Sequence, residues 1–214
     1  MAAVASGFYG KLPARGDFVR GGLPRDFIDR WDAWLAAAIA GSRTAMGEAW
    51  LPAFLESPVW RFVLTPGICG DCGVLGLMLP SVDRAGRYFP LTFAALFRGP
   101  APLDDPAWLD ACEAAGRAAL EQDVGPEQLG AMLGTPDGTA VLAEAGPSQS
   151  LWWTEGAPRV PATRFVISGL PDAAVYATML GCIDRPEAPL PQPELQGADA
   201  PNDPTGEQSW ESPS

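Results

Sequence analysis

Cys69 and Cys72 enclose Gly70 and Asp71 in a Cys-x-x-Cys spacing. Two thiols across such a turn can exchange a disulfide when a helix N-terminus lowers the pKa of the first. Here the pair falls between two expected strands, with no helix following it. The same spacing is half of a zinc site and needs two further ligands. The remaining thiols, Cys112 and Cys182, each stand alone in an expected helix. Structural thiols, a redox pair and a metal site therefore stay open as readings. The chain of 214 residues has no histidine. That excludes Ser-His-Asp and Cys-His catalysis, His-ligated metals and an imidazole pH switch. Lysine, carboxylate and thiol chemistry remain.

Two polar turns combine opposite charges with glycine or a hydroxyl: Arg15-Gly16-Asp17 and Ser81-Val82-Asp83-Arg84. Catalysis there requires a carboxylate whose pKa is raised by burial. The alternatives are an Asp-capped turn closed by local ion pairs and a contact surface for a partner. Arg84 and Arg87 flank Gly86 and have the chemistry to hold a phosphate or carboxylate. Neither a P-loop nor a dinucleotide-binding glycine pattern is present, so nucleotide binding is not expected. Among eight tryptophans, Trp31 and Trp34 belong to the apolar face of a helix and are expected in the core. Trp152 and Trp153 are neighbours on an expected strand and must point to opposite faces. One of them is expected to face outward or to cover a second layer, which makes the pair the aromatic candidate for an interface. Trp210 stands in a polar tail.

The elements that must position these residues follow from apolar periodicity. Residues 7–22 are glycine-rich with short β-prone pieces and read as extended chain with turns. After Pro24, the residues Phe27, Ile28, Trp31, Trp34, Leu35, Ala38 and Ile39 form one helical face, and Gly41 or Gly47 ends the helix. A short helix covers Ala49–Leu55, stopped by Ser57-Pro58. Strands are expected over residues 59–65, 74–79 and 88–97, joined by short connections as an antiparallel meander. A helix over Ala107–Gln122 has Asp104 and Asp105 at its start, and a shorter one spans Pro126–Leu133. Two further strands, over 151–154 and 163–167, precede a last helix over Asp172–Leu180. Residues 185–214 contain seven prolines and six acids. Such a stretch cannot offset its ordering entropy by burial and is expected to be disordered.

Net charge is −12, distributed as +2 over residues 1–98, −9 over 99–184 and −5 over 185–214. Such a chain is repelled by nucleic acid and anionic lipid, so neither is an expected partner. No run of about 18 apolar residues is long enough to span a membrane, and the N-terminus lacks the pattern of a signal peptide. Four cysteines without an export signal are expected as thiols in a reducing compartment, and the expected location is the cytoplasm.

Several motifs follow one another in order, beginning with Gly7-Phe8-Tyr9-Gly10-Lys11-Leu12-Pro13, Gly16-Asp17-Phe18-Val19 and the Trp31/Trp34 helix. They continue with Pro58-Val59-Trp60-Arg61-Phe62, Leu79-Pro80-Ser81-Val82-Asp83-Arg84 and Gly86-Arg87-Tyr88-Phe89-Pro90-Leu91. Ser150-Leu151-Trp152-Trp153-Thr154, Gly169-Leu170-Pro171 and Met179-Leu180 extend the set to about residue 181. Together these motifs resemble the TagF family of type VI secretion accessory proteins. The resemblance implies an α/β (α+β) domain over residues 1–183, its central antiparallel sheet flanked by helices; the acidic Pro-rich tail over 184–214, expected to be disordered, and the Cys-x-x-Cys are not parts of the pattern. It implies a non-enzymatic, post-translational repressor of type VI secretion that binds a forkhead-associated scaffold protein and needs no cofactor or metal. Arg15, Asp17, Ser81, Asp83, Arg84 and Arg87, the polar residues of the motifs, are candidates for the regulatory surface, with Trp152 and Trp153 beside them. The alternatives are a thiol oxidoreductase using Cys69 and Cys72, and a chaperone of one secretion subunit.

Overall fold

The computed structural model describes residues 3–102, 105–122, 124–136 and 148–181. The chain divides into a unit spanning Met1–Asp184 and a second spanning Arg185–Ser214. The expected disordered tail, Trp210 and Cys182 lie outside the described residues.

The first unit is built on one seven-stranded sheet in the order β2-β1-β5-β4-β3-β6-β7, with every neighbouring pair antiparallel. Its strands are β1 (Ala5–Gly10), β2 (Val19–Gly21), β3 (Trp60–Leu64), β4 (Cys72–Leu79), β5 (Leu91–Arg98), β6 (Gln149–Thr154) and β7 (Thr163–Ser168). The helices are α1 (Arg25–Met46), α2 (Trp50–Leu55), α3 (Pro106–Glu121), α4 (Pro126–Met132) and α5 (Ala173–Met179). This is the expected antiparallel sheet flanked by helices, and β3-β4-β5 form the expected meander.

Strand alternation sends side chains to two separate cores. On one face, Trp60, Phe62, Leu64, Val74, Met78, Ala94, Leu96 and Trp152 pack under α1, α2 and α5. On the other, Val63, Leu75, Leu77, Leu79, Phe93, Ala95, Phe97 and Leu151 pack under α3 and α4. β4 and β5 are central and apolar on both sides, which is why their sequences are near-continuous hydrophobic runs instead of alternating ones.

Helix α1 buries Phe27, Ile28, Trp31, Leu35, Ala38 and Ile39, as its periodicity requires. It runs through Gly41 and ends at Gly47, whose φ of 55° only glycine adopts without strain. Gly41 serves packing instead: a Cβ there would stand 2.4 Å from the Cβ of Ala173 on α5. Asp105 lies outside the first turn of α3 as its N-cap, accepting from the backbone N–H of Trp108 at 3.1 Å. Strand β5 starts at Leu91, later than the expected residue 88, because Tyr88 pairs with Val82 to close a turn. Strand β4 starts at Cys72, so the second thiol belongs to the sheet and only the first to the preceding turn.

Buried indoles find hydrogen-bond acceptors throughout. Trp31 donates to Thr92, Trp50 to Ser42 and Trp152 to Ser150, while Trp60 and Trp108 donate to the backbone carbonyls of Met179 and Gly134. Each satisfied N–H removes the desolvation penalty that a large amphipathic ring otherwise incurs in a core. No helix among the described residues is long and apolar enough to cross a membrane.

Candidate functional site

The two polar turns that the sequence separates by about seventy positions meet at one end of the sheet. The β1–β2 connection, residues 11–18, lies against the turn between β4 and β5, residues 80–90. The backbone joins them directly: Arg84 N–H donates to the Arg15 carbonyl at 2.9 Å, and the Ser81 hydroxyl donates to the Lys11 carbonyl at 2.6 Å.

Asp83 is the organising group. Its carboxylate is fully enclosed and accepts from Lys11 Nζ at 2.5 Å and from Arg87 Nε at 2.7 Å, both on Oδ2. Oδ1 accepts from the backbone N–H groups of Ala85 and Arg87, each at 2.9 Å. Burial pushes this carboxyl upward, but the hydrogen bonds from Lys11, Arg87 and Ala85 outweigh it and hold it well below the usual carboxylate range. A raised pKa, which general acid–base work by Asp83 would need, is therefore absent. The group is an ionised anchor.

Arg87 extends the network outward. Its guanidinium also donates to the Gly16 carbonyl and stands 3.9 Å from the Asp17 carboxylate. Arg15 donates to the Ala14 carbonyl at 3.0 Å. Phe18, 44% exposed, stacks on Tyr9 with centroids 5.3 Å apart, meets the edge of Phe89 at 4.8 Å, and carries Lys11 Nζ over its ring at 4.6 Å. The Tyr9 hydroxyl in turn donates to Asp32 on α1 at 2.5 Å. Burial raises the Tyr9 pKa, and the Asp32 carboxylate that accepts its proton raises it further.

The structure thus brings Arg15, Asp17, Ser81, Asp83, Arg84 and Arg87 together but splits them by exposure. Ser81 and Asp83 are buried, so they build the turn and do not themselves meet a partner. Arg84, Arg87 and Asp17 face solvent around the half-exposed Arg15. Lys11 and Phe18 were not singled out by type. Their only sequence signals are a lysine inside an otherwise apolar motif and an aromatic in a glycine-flanked turn.

The tryptophan pair lies on β6, separated from β1 by three strands, and Trp152 is a correction. It is fully enclosed among Trp31, Trp34 and Phe62, with centroids 5.1–6.3 Å away, because its face of β6 is the one α1 covers. Trp153, on the opposite face, is half-buried.

Burial pushes the Cys69 thiol up to about 12, with nearby Arg30 offsetting only part of this. That direction opposes what a redox nucleophile needs. Cys69 belongs to the core beneath α1 and Cys112 to the core beneath α3, so the sheet separates these two thiols and denies them a shared metal. Burial also pushes the Cys112 thiol up to about 12, so at pH 8 Cys69 and Cys112 are expected to alkylate about 10³-fold more slowly than a free cysteine. Time-resolved iodoacetamide labelling with peptide mapping checks this; a rate for Cys69 near that of the free amino acid would contradict the buried, protonated thiol.

Residues 7–135, which include both turns of this site, match the family described as TagF N-terminal domain, type VI secretion system-associated. Among solved structures, PA0076 from Pseudomonas aeruginosa PAO1 superposes with a TM-score of 0.76 at 34% sequence identity, over 87% of this chain and 99% of that one. No curated protein matches the chain.

Proposed function

The chain belongs to the TagF family of type VI secretion-associated proteins, and from that premise we propose that it is a non-enzymatic repressor that holds the apparatus inactive by binding a forkhead-associated scaffold protein in the cytoplasm. One observation carries this reading. A solvent-facing set of Arg84, Arg87, Asp17 and Phe18 is mounted on a buried, fully hydrogen-bonded ion pair. Aromatic and arginine side chains on a rigid base are the composition of an interface hot spot. The buried base spares the surface the entropy of ordering a loop on binding. Among the shifted groups, Asp83 is held ionised and the Cys69 thiol is raised, so neither is tuned for proton transfer or thiol exchange.

Arg84→Glu tests the surface without touching its base. Arg84 is exposed, so the variant is expected to keep its thermal midpoint within about 2 °C of the parent. Co-purification of the scaffold and repression of secretion are expected to fall together. A variant that folds normally, keeps the scaffold and still represses would place the contact surface elsewhere. Loss of a secretion subunit from cells lacking the protein, with secretion otherwise unrestrained, would favour a chaperone.

A further inference from the structure

The two edges of the sheet differ. β2, at one end, has three residues and lies against α4. β7, at the other, has six, and its register with β6 runs from Thr163–Thr154 to Ser168–Gln149 without a bulge. Its sequence, Thr-Arg-Phe-Val-Ile-Ser, contains no proline and its pairing no bulge, so two common devices that blunt an edge are missing and Arg164 is its one charge. No described residue pairs with its outer side.

The register also aligns a row of side chains across three strands. Arg61 of β3 stands opposite Trp153 of β6, which stands opposite Arg164 of β7. Directly opposed residues share a face, so the half-buried Trp153 stands between Arg61 and Arg164 in the row. Arg61 is neutralised by Asp110 at 2.8 Å and Glu113 at 3.2 Å. Arg164 is exposed and makes no ion pair with a described residue. Two positions on, Val166 shares its face and is 52% exposed. Residues 156–171 hold Arg159 and Arg164 and no acid, in a chain of net charge −12. Arg159 pairs with Glu56 at 2.6 Å, which leaves Arg164 as the edge cation without an acidic partner among the described residues.

We propose that β7 is a docking edge for an extended segment of a partner protein that adds as an eighth strand and sets an acidic side chain against Arg164. Backbone hydrogen bonds supply the attachment, and in antiparallel addition the Arg164–Val166 pair selects an acid preceded two residues earlier by an apolar or β-branched group. A second copy of the chain is the poorer occupant, since antiparallel self-pairing brings arginines to the same short edge with no acid to meet them. The inference is independent of the scaffold named above.

The test uses the full chain, isotope-labelled, with two synthetic peptides: acetyl-Thr-Val-Thr-Val-Glu-Thr-amide and the same sequence with Lys for Glu. The acidic peptide is expected to shift the backbone amides of residues 163–168 and the Trp153 indole. It is expected to bind about 5-fold more tightly than the basic one, the scale of one cross-strand charge pair. Arg164→Glu is expected to reverse that preference, and Val166→Lys to weaken both; both positions are exposed, so the variants fold. The proposal is overturned if neither peptide shifts β7, if the preference does not follow the charge at 164, or if sedimentation shows a dimer that Val166→Lys dissociates.

Discussion

Replacing Asp83 with Asn is expected to lower stability by about 3–5 kcal/mol, because it leaves Lys11 charged, buried and without its counter-ion. For a domain of this size that corresponds to a fall of roughly 6–20 °C in the thermal midpoint. The two side chains are 5% and 0% exposed, so little water is at hand to replace the lost partner. A Lys11→Met/Asp83→Asn double variant is expected to lose less than the sum of the singles, since it removes both charges together. Additive losses in thermal denaturation would mean that Lys11 and Asp83 stabilise the turn independently.

The same group gives the acid limb of the stability curve a definite sign. The Asp83 carboxyl titrates lower in the folded protein than in the unfolded chain, where the ordinary value is about 3.9. Its contribution is therefore fully present above about pH 5 and is lost as the pH falls through 4 and below. Asp83→Asn is expected to flatten that limb without abolishing it. Glu113 remains, pushed up by burial but carried below its usual range by hydrogen bonds from Arg117 and Arg61. Urea titrations from pH 7 down to pH 3 check this, and parallel curves for parent and variant would remove Asp83 as the source.

The second large effect is expected at Trp31, on the opposite side of α1 from solvent. Trp31→Ala is expected to cost about 3–5 kcal/mol, the range for emptying a buried indole-sized volume. The ring is fully enclosed, with Phe27, Trp34, Phe62 and Trp152 at centroid distances of 4.6–6.3 Å. Its N–H also donates to the Thr92 hydroxyl at 2.9 Å, tying α1 to β5. Trp31→Phe keeps most of the volume but strands the fully buried Thr92 oxygen, and is expected to cost about 1–3 kcal/mol. Denaturant midpoints for the pair separate packing from hydrogen bonding. Equal losses would show that the indole N–H matters more than the volume it occupies.

These two sites were legible to different degrees. Trp31 was placed in the core by the apolar spacing of its own helix. The helices, five of the seven strands and the turn at Gly86 could be read in the same way, since each element's pattern is local. Boundaries slipped where a neighbour decided them: β5 begins three residues late because Tyr88 is recruited by Val82, and β4 reaches back to Cys72 because Arg98 and Gly99 pair with it.

The sequence by itself determined the element types, the exclusion of imidazole chemistry and the family to which the chain belongs, because composition, periodicity and ordered motifs are all readable along one chain. Only the tertiary structure decided that Lys11 meets Asp83, that β1 lies beside β5 and β6 beside β3, and that Trp152 is enclosed while Trp153 is half-buried. The physical reason is that a charge, a strand edge and an aromatic ring have no preferred partner until the sheet is assembled. Lys11 and Asp83 are seventy-two positions apart, and the loop-closure entropy of joining them is met by the apolar burial of the whole domain, not by the pair. Which face of β6 is covered likewise depends on where α1 lies, and nothing in residues 149–154 records that.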